Sequence, residues 1–122
     1  LDADALLDTS HSRHADLSAL RERLAGPDAL WWFRTCETFG REAGHRFAAA
    51  WAQFFRCRGA GHTYVIGPWQ SGLHSLAPGQ EPRWSLREGL PDDVAEPRYA
   101  LMSAPGEPNT ITCLHGKIPA GF

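Results

Sequence analysis

The sequence predicts one α+β domain over residues 1–122: an N-terminal helical hairpin, with one long amphipathic helix packed on a small antiparallel sheet of three or four short strands. Three observations carry this prediction. Pro27 is the only proline in the first 59 residues, and the other eight follow it, so 1–59 reads as a helical half and 60–122 as a Pro/Gly-rich β and loop half. Aromatic and small apolar residues recur every three or four positions from Trp32 to Phe55. Past Gly61, short β-type runs alternate with turn residues. At 122 residues the chain can bury about two-thirds of the surface that it exposes unfolded, enough for a core of its own.

Leu17, Leu20 and Leu24 mark a first helix over about 15–25, with Asp16 or Ser12 as its N-cap and a further turn or two at Asp2–Leu7. The connector Ala25-Gly26-Pro27 is short enough to make it one arm of an antiparallel hairpin. The second helix is expected from Pro27 to Cys57. Proline suits a first helical position, Asp28 suits the positive end of the dipole, and Arg56, Arg58 and Gly59 suit the close. Its apolar line runs Trp32, Cys36, Phe39, Ala43, Phe47, Ala50 and Phe54, flanked by Phe33, Gly40, Gly44, Trp51 and Phe55. Glu37–Arg41 and Glu42–Arg46 are i,i+4 pairs on the opposite face, which also holds His45. Strands are expected at His62–Ile66, Trp84–Leu86, Tyr99–Ser103 and Thr110–His115. Turns are expected at 78–79, 90–93 and 105–108.

Charge and cysteine content narrow the function classes. Twelve basic against fourteen acidic residues leave a net charge of −2, and neither half is basic, so a phosphate-neutralising nucleic-acid surface is not expected. No run of about 20 apolar residues exists, so no membrane partner is expected. Lys117 is the only lysine, a bias that fits a GC-rich, bacterial coding sequence. Cys36, Cys57 and Cys113 are too few and too odd in number for a disulfide framework, and on one helix Cys36 and Cys57 would lie about 30 Å apart. A reducing, cytoplasmic setting follows. The chain begins at Leu1 with no signal peptide, as a processed chain or a piece of a longer one would.

Several groups are candidates for function. Gly40 and Gly44, four apart on the apolar face, cost about 1 kcal/mol each against alanine and so imply a close backbone approach. The partner is either the chain's own sheet and first helix or a second subunit, in which case Gly40, Gly44, Phe47 and Trp51 form the interface. Cys113 and His115 share a strand face, with His62 and His74 as further donors by type, but the spacing matches no zinc signature and no metal is assigned. Glu42-x-x-His45 has a di-iron spacing on the solvent side of the helix, and Asp8, His11 and His14 step by three ahead of the first helix. The loop 67–74 places Trp69, Gln70 and His74 between glycines, a ligand-binding arrangement to which His62 is the neighbouring strand's contribution. There is no Gly-x-Gly-x-x-Gly, P-loop or Gly-x-Ser-x-Gly, so no cofactor is specified. The leading expectation is a small binding or assembly module that meets a protein partner or itself through the glycine-notched aromatic face and the Trp/His loop. The alternative is a small enzyme acting on a small molecule, with His74 and then His115 as acid–base residues or a Cys/His metal site.

Overall fold

The computed structural model describes residues 14–113 other than 25, 27 and 97. It is an α+β fold. In chain order, α1 spans His14–Leu24, β1 Leu30–Trp32, α2 Arg41–Phe55, β2 Arg58–His62, β3 Trp69–Gln70, β4 Leu73–Leu76 and β5 Ile111–Thr112. One sheet has the order β1-β2-β4, with β1 parallel and β4 antiparallel to β2. A second pairs β3 with β5 antiparallel. No described helix is long and apolar enough to cross a membrane.

α1 lies where the leucine spacing puts it. Leu17, Leu20 and Leu24 pack against the core that α2 dominates. Asp16 sits within the first turn rather than capping it, and there its charge still faces the positive end of the dipole. Ser12, the expected turn at Asp2–Leu7, Asp8 and His11 lie outside the described residues.

The long helix is shorter than its periodicity suggested. Only Arg41–Phe55 is helical, and Leu30–Trp32, expected as its first turns, is a strand. The apolar run of five, Ala29 to Phe33, satisfies a helical and an extended template equally, and aromatic residues favour the pleated surface. Extended, the run divides between two faces. Trp31 and Phe33 turn to α2, with ring centroids 5.2 Å and 4.7 Å from Trp51, while Trp32 turns away to His62. The hairpin is therefore interrupted by a strand, and β1–α2–β2 forms a parallel crossover. Because α2 starts late, its buried stripe centres on the expected flank: Gly44, Phe47, Ala48, Trp51, Ala52 and Phe55. It ends at Arg56 in the left-handed region, three residues before the expected glycine.

β2 reads Arg-Gly-Ala-Gly-His, and its two glycines face the aromatic core. A Cβ built on Gly61 would lie 2.6 Å from the Phe39 ring, so only glycine lets that ring rest against the strand's backbone. The remaining strand expectations are partly displaced. β2 ends at His62, where a strand was expected to begin, and Val65 makes only an isolated bridge to Met102. Trp84–Leu86 is not a strand: the Trp84 indole enters the core and its N–H donates to the Phe39 carbonyl at 2.9 Å, so this segment is anchored by a side chain. The expected loop 67–74 holds β3 and β4, and the chain crosses from one sheet to the other at Ser71-Gly72, with Gly72 at φ 63°.

Candidate functional site

Strand alternation places His74. Its Cα is paired with that of Gly61, so its side chain lies on the glycine face of the sheet, while adjacent His62 points to the other face. The space above Gly61 is taken by Phe39. Trp84 stacks on Phe39 with centroids 5.5 Å apart and planes 8° from parallel. His74 stacks on Trp84 at 4.8 Å and 12°, and His45 meets the indole edge at 4.9 Å. A buried tryptophan is thus the backing plate of an imidazole.

The His74 ring is also held in its own plane. Its Nε2 lies 2.5 Å from Glu88 Oε1, which also accepts a hydrogen bond from Thr63 Oγ1 at 2.8 Å. Glu88 comes from the turn after Trp84, where its N–H donates to the Ser85 carbonyl. Burial opposes ionisation of Glu88, but the hydrogen bonds from His74 and Thr63 and the nearby imidazole outweigh it, and the carboxyl is held below its ordinary value. An ionised Glu88 accepts only, so Nε2 carries a hydrogen, and in the neutral ring the lone pair is on Nδ1. Gly72 guards this arrangement, since a Cβ there would fall 1.9 Å from Thr63 Oγ1. His74 and Glu88 are partly screened, with side chains 16% and 17% exposed.

His74 and Trp84 line a groove of about 780 Å³ whose other walls include Ser75, Gln80, Glu81 and Arg83. A histidine that lines a groove and is held through Nε2 by a carboxylate has the parts needed to take a proton from a bound molecule and return it.

The other expected site residues do not gather here. His62 is fully buried and structural. The Trp32 indole can only donate, and it donates to His62 Nε2 at 3.2 Å, so Nδ1 carries the hydrogen and donates to the Ser71 carbonyl at 3.1 Å. Both nitrogens are occupied, which leaves none for a ligand. Gln70 is buried and its Oε1 accepts from Arg34 at 3.3 Å. Trp69 is exposed on β3 and does not line the His74 groove. Phe47 and Trp51, expected at an interface, lie inside the chain's own core, and Gly44 is closed by the Phe39 backbone. Cys113 is exposed with a free thiol, and His115 lies outside the described residues. Among the described residues no three His, Cys, Asp or Glu side chains gather as metal ligands. Glu42 is exposed while His45 turns inward, so that pair does not share a site. Sequence reasoning missed Glu88, Thr63 and Trp84 as site residues, and it placed His45 on the solvent side of the helix rather than against Trp84. No spacing links them, because a turn, a strand end and a helix supply them separately.

Buried His62 and half-buried His45 set a pH dependence. Burial holds the folded pKa of His62 below 6.5, against the Ser71 carbonyl bond that favours the cation, with Arg34 and His74 adding to the lowering. His45 is lowered in the same way, by burial first, against its bond to the Trp84 carbonyl, with His74 again lowering it. For both, the unfolded chain binds a proton near about pH 6.5 and the native chain only at lower pH, so stability should fall as pH drops below that value. Urea midpoints should be lower at pH 5.5 than at pH 7.5, and the difference should shrink in His45→Gln. Midpoints that hold or rise on acidification would contradict this assignment.

Compared with protein-family models, curated proteins and solved structures, the chain matches none, so the functional reading stands on this geometry.

Proposed function

We propose that the protein binds a small polar molecule in the groove beside His74 and performs acid–base chemistry on it, with His74 Nδ1 as the base and Glu88 as its orienting partner. The supporting observation is the hydrogen-bonded chain Thr63–Glu88–His74 that ends at the groove wall. As the imidazole takes up a proton, the Glu88 carboxylate stabilises the cation that forms. Trp84 prevents the ring from turning out of line. Assembly through the α2 face has less support, since Phe47 and Trp51 are enclosed by Trp31, Phe33 and Phe55. A protein partner retains one specific support elsewhere: Tyr99 and Met102 are 81% and 78% exposed, with half-exposed Leu101 between them in sequence. A reducing, cytoplasmic setting remains our reading, in keeping with exposed free thiols at Cys36 and Cys113.

The test reads the tautomer and the rate. Nitrogen-15 spectra of the histidine rings should show His74 as the Nε2–H form in the wild type and a mixture in Glu88→Gln. Turnover found against small esters or other proton-transfer substrates should fall by roughly 10²–10⁴-fold in His74→Gln. That variant also loses the stack on Trp84, worth about 1 kcal/mol of stability, so rates are compared at a temperature where both chains are folded. An Nδ1–H tautomer, or turnover within about threefold of wild type in His74→Gln, would remove the acid–base role.

A further inference from the structure

His62 lies where the two sheets meet, and its ring nitrogens are held by unlike partners. Nδ1 donates to the Ser71 carbonyl at 3.1 Å. Ser71 is fully buried and pinned, since its N–H donates to Ser103 Oγ at 3.0 Å and its hydroxyl lies 2.8 Å from Thr110 Oγ1. Nε2 accepts from the Trp32 indole at 3.2 Å. Trp32 is half-buried and ends β1, an edge strand held to β2 by backbone groups, so the indole is not needed for the ladder. Arg34 rests on Trp32, with its guanidinium carbon 4.8 Å from the ring centroid, and its Nη2 donates to Gln70 Oε1 on β3 at 3.3 Å. Trp32 and Arg34 thus tie the end of β1 to the second sheet. A proton on His62 Nε2 turns the acceptor of this chain into a donor. The indole can only donate, so two hydrogens would then face each other against a fully buried ring. Among the described residues, the charged or titratable groups that act on His62 are Arg34 and His74, and each repels a cation there when charged. One partner of the ring has to yield, and it is Trp32 that is free to turn out.

We propose that Trp32 and His62 form a proton-operated latch between the two sheets: when His62 Nε2 takes a proton from solvent, the indole swings off the imidazole and carries Arg34 away from Gln70, while the β1-β2-β4 ladder and the Ser71 anchor stay in place. The closed latch is the neutral state. Burial first, with Arg34 and His74 adding to it and the Ser71 bond opposing, holds the closed imidazole below the ordinary histidine value. Opening hydrates the ring and moves Arg34 off, so the open form binds the proton more tightly and gains population as pH falls. The latch is separate from the His74–Glu88 pair, because the alternation of the sheet puts His62 on the face opposite His74.

The test is a titration of the full nitrogen-15-labelled chain from about pH 7.5 to about pH 4.5, read at the histidine rings, the indole N–H groups and the backbone amides. The Trp32 indole N–H should shift with the same midpoint as the His62 ring and exchange with water about tenfold faster or more on the acid side, while the amides of β2 and β4 keep their native positions. Trp32→Phe keeps an aromatic ring and removes the donor. It should raise the His62 midpoint by about one pH unit, the size expected of one neutral hydrogen bond. Should that variant fail to fold, Arg34→Gln supplies the second reading, because removing the fixed cation should raise the same midpoint by about half a unit. An indole N–H of Trp32 that stays in place through the His62 titration would overturn the latch. So would a His62 ring that takes up its proton only as the β2 and β4 amides lose their native positions, or not at all. A folded variant whose His62 titrates as in the wild type would overturn it as well.

Discussion

Gly44→Ala is expected to destabilise the protein by about 3 kcal/mol or more, at or above the upper end of ordinary overpacking. The added Cβ would lie 2.2 Å from the Phe39 carbonyl carbon, 2.5 Å from its oxygen and 2.7 Å from its Cα. Those are backbone atoms, and they cannot swing aside. The Phe39 N–H donates to the His62 carbonyl at 2.9 Å, its carbonyl accepts the Trp84 indole, and its ring is stacked on Trp84. Moving Phe39 therefore disturbs β2, Trp84 and the start of α2 together. Gly40 is the control. It has φ −77°, and the nearest atom to its built Cβ is 3.3 Å away, so Gly40→Ala should change stability by less than about 1 kcal/mol. Urea denaturation of both variants, with mass measured in solution, separates the readings of this glycine pair. A Gly44→Ala chain with the wild-type midpoint would show that Phe39 does not occupy the notch. One with the wild-type midpoint but a lower assembly mass would place the notch between subunits.

Trp84→Ala should cost about 3–5 kcal/mol. The side chain is 9% exposed and is packed on one face by Phe39 and on the other by His74, with His45 at its edge. Its removal empties the middle of that stack and leaves the Phe39 carbonyl without the indole donor. Trp84→Phe keeps an aromatic plate and loses mainly the hydrogen bond, so about 1–2 kcal/mol is expected. The near-ultraviolet circular dichroism of the indole should disappear in both, but only Trp84→Ala should shift the ring signals of His74 strongly. If Trp84→Ala unfolds at the same denaturant concentration as wild type, the tryptophan is not part of the core. Trp84 thus links two levels of the molecule: the packing that stabilises the fold also fixes the orientation of the candidate base.

The histidine that sequence reasoning favoured, His74, is the one that lines the groove, but the reason given for it was incomplete. The sequence reads it as a glycine-bounded loop residue beside Trp69. In the structure it belongs to a strand, and its aromatic neighbour is Trp84, ten residues further on. Its partner Glu88 is fourteen residues away across a turn. His62, chosen as a companion on an adjacent strand, does share the sheet, but the period of two sends it to the opposite face. The helix face tells the same story. The stepping from Phe39 to Phe55 is helical only after Gly40, and Trp31 and Phe33 reach α2 from a strand instead.

The sequence alone determined the α+β class, the position of α1, the helical character of Arg41–Phe55, and the close approach at Gly44, because each depends on local periodicity, on proline distribution or on a missing side chain. Only the tertiary structure decided that Leu30–Trp32 is a strand parallel to β2, since an apolar run of that length suits either state until a neighbouring strand offers its N–H and C=O groups. Only the tertiary structure decided, too, that Thr63, His74, Trp84 and Glu88 meet. Each lies on a different turn or strand, and their proximity follows from the pairing register of β2 with β4 and from the room that Gly61 leaves for Phe39. Register is a long-range property, fixed by how faces pack, and no local run of residues encodes it.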